Sequence, residues 1–508
     1  MLEESNLTPV ERALCAAAAT GRLLDCRTRR SGDDDPAQGR DWGKDRQIRT
    51  QLLRQLLTGQ GRLDQTFGRP LAVRLRGAQI PGQLNLGGLT LRCPLELYDC
   101  YLGGRLGLAK TEAPGISLRG SYLRQGLSAR RLQLTHDLNL TGAFRCFGTV
   151  NLRHAEIGGQ LAGGGATFTN GNGMALIAEG MAVNGGLFLR GAQVTGEVQL
   201  SGAQIGGPLA CEGARFTNRN GAAFTAHEVT VKGDLYLRHA QVNGKVQMIG
   251  AEIGGQLACE GARFTNRNDA ALDLEAASIA KVVIMRPEHL EGEIDLTNAR
   301  VGGWYDNRQT WPTVLHLKGF VYEAIDDPNI TCRERLDWLR LHRDAHGQTV
   351  YLPQLYEQLA AVYRRAGDHK GARMVAITRQ QVRRAHSSRR WARWPSRAWS
   401  VFLRWTIGYG YRPALVLPWL IGLFIVGWVV FDRAFPAHLH PANGGPDQPG
   451  FNPARYTLDL LLPVANLKQR DAFVPDGGVA WWAFGLSLAG WLLAAVVVAG
   501  LTGVFKRD

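Results

Sequence analysis

Residues 150 to 305 repeat themselves with a period of 48. AEIGGQLAGGGATFTNGNG at 155–173 returns as AQIGGPLACEGARFTNRNG at 203–221 and again as AEIGGQLACEGARFTNRND at 251–269. Inside the repeat the apolar anchors fall at Val183, Val194, Ile205 and Phe216, then at Val231, Val242, Ile253 and Phe264, which is three steps of 11 and one of 15. A chain that winds in coils produces such a period, because each coil stacks the same side chains on those below and above it.

The residues between anchors name the coil. Runs such as Glu197-Val198-Gln199-Leu200 alternate polar and apolar, and glycines bracket every run, a period-2 strand pattern with tight corners. Two 11-residue units predict a coil of about 22 residues, with neighbouring coils about 4.8 Å apart through parallel pairing. The pattern runs forward through Ile279, Leu290 and Val301 and back through Ile80, Leu91 and Leu102. The expectation is a mainly β chain, a right-handed parallel β-helix over 70–305, with roughly ten coils and a length of about 50 Å. The small-x-apolar triplets Ala192-Gln193-Val194, Ala203-Gln204-Ile205, Ala240-Gln241-Val242 and Ala251-Glu252-Ile253 resemble those of pentapeptide-repeat proteins, with one extra residue for every two pentapeptides.

The formal net charge of +15 is unevenly spread. The β-helix is nearly balanced, whereas Arg379 to Arg412 is dense in arginine. The eight cysteines show no CxxC pair or ligand spacing, and Cys211 and Cys259 stand 48 apart at equivalent positions, as buried reduced thiols in a stack would. The first 15 residues lack the basic-then-apolar order of a secretory signal.

Pro413 to Phe431 carries no charge over 19 residues and Ala480 to Phe505 none over 26, so each is long enough to cross a hydrocarbon core of about 30 Å. They predict two C-terminal transmembrane helices, 413–431 and 480–505, joined by an extracytoplasmic loop over 432–479. Arginines at 383, 384, 389, 390, 393, 397 and 404 precede the first span, and Lys506 and Arg507 follow the second. The positive-inside rule then places both termini and the β-helix in the cytoplasm of a multi-pass cell-membrane protein.

Helical patterns frame the β-helix. Thr8 reads as the N-cap of a helix with Pro9 at its first position, and Leu52, Leu53, Leu56 and Leu57 form a second apolar face; 1–69 is expected to cap the open end of the rod. Over 306–390 a helical collar is expected, with one helix from Glu334 to Ala345 and a hairpin from Leu355–Arg365 to Lys370–Arg384 turned at Gly367-Asp368. Tyr356, Leu359, Ala360, Tyr363, Gly367 and Ala372 are similar in spacing to one tetratricopeptide unit. In the segment 391–412 tryptophans interleave with arginines. Arg390, Trp391, Arg393, Trp394, Arg397, Trp399, Arg404 and Trp405 suit a lipid-interface helix, with indoles at headgroup depth and guanidinium groups on anionic lipid. That assignment accounts for the positive charge without a nucleic-acid partner.

Two groups are candidate functional residues. The 15-residue step opens just after Phe216 and Phe264, so Asn218, Arg219, Asn220 and Asn266, Arg267, Asn268 are expected to protrude on one side, two coils apart, as a partner surface or as a ladder of asparagine turns. Tyr456 to Pro463 is apolar but too short to span. With Asp459 at its middle it reads either as a re-entrant pore helix or as a short amphipathic helix on the outer face, Tyr456 and Asp459 being its functional candidates. Ala495, Ala499 and Gly503 put small residues on one side of the second span, a packing face within the chain or in a homo-oligomer. TIGYG at 406–410 reads like a potassium-selectivity filter but precedes the first span instead of lying between two. Glycine strings such as GGGATF lack the helix a dinucleotide site requires, and His438 with His440 lacks further ligands nearby.

From LTPVERALCAAAATGRLLDCR through the β-helix to TIGYGYRP, YTLDLLLPVANLKQ and GWLLAAVVVAGLTG, the chain resembles a family of actinobacterial membrane-associated β-helix proteins often given an automatic oxidoreductase label. No cofactor fingerprint or catalytic constellation accompanies that label here, so neither a cofactor, a metal nor an enzyme activity is expected. The expected function is a membrane-anchored cytosolic scaffold presenting its rod to a protein partner; the alternative is a two-span, channel-like oligomer with the rod as its cytoplasmic sensor.

Overall fold

In the computed structural model residues 4–28, 32–60, 63–325, 330–344, 347–348, 350–387, 416–442, 450–462 and 467–505 are described. The chain divides into two compact units, Met1–Asp368 and His369–Asp508.

The first unit is a parallel β-solenoid of about 11 turns with helices at the chain termini. Its short strands join two long parallel sheets, one of 20 strands and one of 15. From Arg145 onward the coil alternates in length. Gln193 pairs with Arg215, 22 residues on, Arg215 with Gln241, 26 on, and Gln241 with Arg263, again 22 on. The 48-residue period is therefore a pair of unequal coils, not two coils of 22 plus a remainder. Val194, Ile205, Phe216, Val231, Val242, Ile253 and Phe264 are each at most 2% exposed, as the anchor spacing requires. Each 11-residue step turns through one left-handed residue, glycine at 191, 202, 213, 250 and 261, but Lys110, Arg131, His154, Glu228, His239 and Ala276 at equivalent corners. The next side chain points inward, and Ala192, Ala203, Ala240 and Ala251 are fully buried there.

Both ends of the solenoid are closed by the flanking sequence. Helix α1 (Pro9–Ala19) starts in a capping box of Thr8 and Glu11, and α2 (Thr50–Thr58) and α3 (Leu63–Phe67) follow. The cap also contributes strand: Leu23–Asp25 pairs in parallel with Val73–Arg76, and Gln47 bridges to Gln79, so the first edge of each sheet finds a partner. At the other end the coils run past residue 305, where the β-helix was expected to stop, through Leu315–His316 and Val321–Ile325. The expected helix Glu334–Ala345 is instead α4 (Cys332–Leu339), started by a Thr331–Glu334 capping box. It ends early because the chain beyond it is drawn onto the last coil: His342 bridges to Leu315, and the Arg343 N–H donates to the Leu315 carbonyl at 3.0 Å. Helix α5 (Pro353–Arg365) closes the same end, its Gln358 side chain donating to the Tyr322 carbonyl at 2.6 Å. A buried ion pair between Asp306 and Arg335 ties α4 to the final turns.

The second unit contains α6 (His369–Ser387), α7 (Val416–Ala434), α8 (Pro453–Leu461) and α9 (Gly478–Phe505). Helix α7 continues three residues past Phe431, the expected end of the first span, and takes in Asp432 and Arg433. Among the described residues one helix, Leu417–Ala434, is long and apolar enough to cross a membrane. In α9 the apolar stretch with described side chains is Gly478–Ala494, so the second expected span is not established by the same criterion.

Candidate functional site

The four extra residues of each long coil form one loop. Thr217 pairs with Asn243 and Ala222 with Lys245, so residues 218–221 stand opposite the single residue Gly244. The same register places 170–173 opposite Gly196 and 266–269 opposite Gly292. Each loop lies over its glycine. A Cβ on Gly244 would come within 2.6 Å of the Asn218 carbonyl oxygen and 2.9 Å of that of Gly221, and Gly244 has a φ of +124°, where side chains are strained. The loop's asparagine then closes it from within, Asn218 donating to the Ala222 carbonyl and Asn266 to the Ala270 carbonyl at 2.8 Å, and Asn170 to that of Met174 at 3.0 Å. The amides of Asn218 and Asn266, read from sequence as a partner surface or a ladder of asparagine turns, are thus engaged within their own turns.

Between the second and third loops a polar cleft of about 540 Å³ opens, lined among others by Asn218, Asn243, Lys245, Asn266, Arg267 and Asp269. At its floor the half-buried Lys245 ammonium lies 3.1 Å from Asp273 and 3.8 Å from Asp269. At its rim Arg267 is exposed and paired with Glu291 at 2.8 Å. One coil pair earlier, position 245 is Glu197, which accepts from the Thr225 hydroxyl at 2.7 Å. The storeys of the ladder are therefore alike in backbone register and different in charge. Sequence reading found the loops but missed Gly196, Gly244 and Gly292, whose signal was present in TGEV, NGKV and EGEI, 48 residues apart. The side chains of Arg219, Asn220 and Asn268 lie outside the described residues, as do Arg390 and the whole of 391–412.

The thiols do not add chemistry to this surface. Cys211 and Cys259 are fully buried, and burial pushes both thiols far up; it also raises Cys100 and Cys146 to about 12. Among the described residues no group of three or more His, Cys, Asp or Glu is placed to hold a metal.

The second candidate lies in the helical unit. Helix α8 packs against both α7 and α9 through glycines: a Cβ on Gly427 would collide with Thr457, and one on Gly490 with the Leu461 carbonyl. Gly490 is twelve residues into α9, about 18 Å from its start. Phe451, by contrast, stacks against Phe435 at 4.5 Å and contacts Phe473 at 5.0 Å, beside the loop ends of α7 and α9. Helix α8 therefore enters from the loop side and ends deep between its neighbours. Tyr456 is buried, its ring 4.9 Å from that of Phe431. Asp459 is buried as well and accepts the backbone N–H groups of Leu467 at 2.9 Å, Gln469 at 3.0 Å and Arg470 at 2.9 Å. Gln469 in turn accepts from the Asn452 N–H at 3.2 Å and donates to the Gly450 carbonyl at 3.2 Å. Asp459, a functional candidate on either reading of this segment, ties the descending helix to the returning segment 467–470.

No protein-family profile, curated protein or solved structure matches the chain. Fold and sites together define a parallel β-solenoid protein that carries an apolar helical unit with an inserted short helix.

Proposed function

We propose that the chain is a membrane-anchored scaffold whose solenoid docks a protein partner in the cytosol. The observation that supports this reading is the loop ladder at 170–173, 218–221 and 266–269, a repeated outward surface held rigid by its own asparagines and glycines, with a charged cleft between storeys. Anchoring by α7 and α9 is supported by their outward side chains: Leu417, Ile421, Ile425 and Trp428 on one helix and Trp481, Phe484, Leu488 and Trp491 on the other are each 48% exposed or more. Such a belt suits lipid. Replacing Arg219 and Arg267 by Ala leaves the fold intact and weakens partner capture; a co-purified set of proteins identical to that of the unaltered chain would leave the ladder a purely structural role. A cysteine at Asn443 reacts with an impermeant thiol reagent on intact cells while one at Asp508 does not, and labelling at Asp508 alone would reverse the topology.

A second reading, a two-span channel-like oligomer with the solenoid as sensor, draws on the depth of α8. Non-helical backbone within a bilayer requires its polar groups to be satisfied by protein, and Asp459 and Gln469 do this for both limbs of the insertion. Ion flux through reconstituted vesicles distinguishes the two readings, since a scaffold conducts none.

A further inference from the structure

The coils between residues 101 and 147 carry charge differently from those on either side; in the coil before them Arg74 pairs with Glu96 at 3.0 Å and Arg76 with Asp99 at 2.8 Å. Between Tyr101 and Phe147 there are seven Arg or Lys residues against two acids, Glu112 and Asp137. In later coils the arginines meet a glutamate one turn on, as in Arg190–Glu212 at 3.1 Å and Arg238–Glu260 at 3.2 Å. Arg105, Lys110, Arg124, Arg130 and Arg131 are exposed, and among the described residues none of the five forms an ion pair.

The five frame a single side of the coil. Leu106-Gly107, Leu127-Ser128 and Val150-Asn151 stack in register as short strands, with Leu106, Leu127 and Val150 buried. Their alternate residues, Gly107, Ser128 and Asn151, lie on the outer side and carry no charge, Gly107 being covered by the uncharged side chain of Asn85. Arg105 and Arg124 stand at the corner where these strands begin. Lys110, Arg130 and Arg131 stand at the corner where they end, stacked through the Lys110 N–H to Arg130 carbonyl bond of 2.8 Å. The result is a flat, small-residue face with a basic rim on both sides and no acid within it.

We infer that this face docks on the anionic headgroups of a phospholipid bilayer. A flat array of cations matches a surface of many phosphates, and a tethered rod meets that surface at high effective concentration, so this inference rests on the membrane-anchored reading. Single-stranded nucleic acid fits less well. The adjacent rings of Tyr101 and Tyr122 stack at 5.7 Å and that of Phe147 lies tilted 5.1 Å from Tyr122, which leaves no gap to hold a base.

The test places the full chain in nanodiscs with a headgroup acceptor dye and a donor on Ser128→Cys, after replacing the two part-exposed cysteines, Cys26 and Cys332, by Ser. Energy transfer should be strong in discs containing phosphatidylglycerol, weak in pure phosphatidylcholine, and lost at high salt. A donor on the exposed Thr135→Cys should show neither response. Changing Arg105, Lys110, Arg124, Arg130 and Arg131 to Ser should abolish the lipid dependence, and changing the four arginines to Lys should keep it, which separates lost charge from lost fold. Equal transfer in both lipids, or transfer that survives the Ser variant, overturns the inference. Saturable binding of an RNA oligonucleotide to the same face in neutral discs overturns it in favour of nucleic acid. Failure of the chain to enter discs at all removes the membrane reading itself, an outcome read before any transfer is measured.

Discussion

Arg335 lays both terminal nitrogens on the carboxylate of Asp306, Nη1 to Oδ2 and Nη2 to Oδ1 at 2.8 Å each, and both side chains are 2% exposed. The indole N–H groups of Trp304 and Trp311 donate to the same Oδ2 at 3.0 Å, so the buried carboxylate is fully engaged. Removing one partner leaves a buried charge unpaired. Arg335→Met should cost about 3–5 kcal/mol, read by thermal melting, and Asp306→Leu added to it should recover part of the loss, because two apolar residues replace an ion pair at less cost than one orphaned charge. A double variant no more stable than Arg335→Met would contradict that account.

The loop ladder makes a prediction at its quietest position. Gly244→Ala places a Cβ against the Asn218 carbonyl at a backbone conformation that alanine resists, and should cost about 1–3 kcal/mol while loosening the 218–221 loop. Faster proteolysis within that loop, compared with the unaltered loop at 170–173, is the readout.

Interior anchors respond differently from loops. Ile205, 1% exposed, stacks in register between Val183 and Val231, and Ile205→Asp should cost on the order of 4 kcal/mol. An unchanged melting temperature would remove Ile205 from the stack.

His342 gives the C-terminal closure a pH dependence. Burial holds its pKa below the usual 6.5, and the neutral ring accepts the Leu317 N–H on Nδ1 at 3.1 Å. Above pH 6.5 the contribution of this group to stability is complete. As pH falls below 6.5 the unfolded chain takes up the proton first, and stability is lost progressively until the folded-state pKa is passed. Melting temperature should therefore drop on acidification in that window, and the slope should shrink in His342→Leu, a variant of lower stability throughout.

In the helical unit, Asp459→Asn leaves one or more of the Leu467, Gln469 and Arg470 N–H groups without an acceptor, at a cost of about 1–3 kcal/mol. Under the scaffold reading, vesicles show no flux before or after the change. Flux abolished by Asp459→Asn would overturn that reading and promote the channel.

The solenoid was legible because stacking repeats a local rule: Val194, Ile205, Val242 and Ile253 could be assigned to the interior from spacing alone, and all are at most 2% exposed. What was illegible depends on partners far away in sequence. Nothing near Leu23 announces its pairing with Arg74, and nothing near His342 announces that it leaves a helix to bridge Leu315. Asn218 and Asn266 were found by the repeat with two roles left open, since an asparagine beside a turn serves equally to bind a partner or to close the loop, and their amides close the loop. Asp459 was singled out by its charge, and only the returning segment 467–470 shows what that charge holds.

The alternation of 22- and 26-residue coils sets how such a rod can change length. Gain or loss of one coil would bring a loop over a residue other than glycine and would break the ladder. Gain or loss of 48 residues keeps every loop above its glycine and moves the two caps apart by about 9.6 Å, so duplication by whole pairs turns the molecule into a graduated spacer whose divisions are fixed by its own loops.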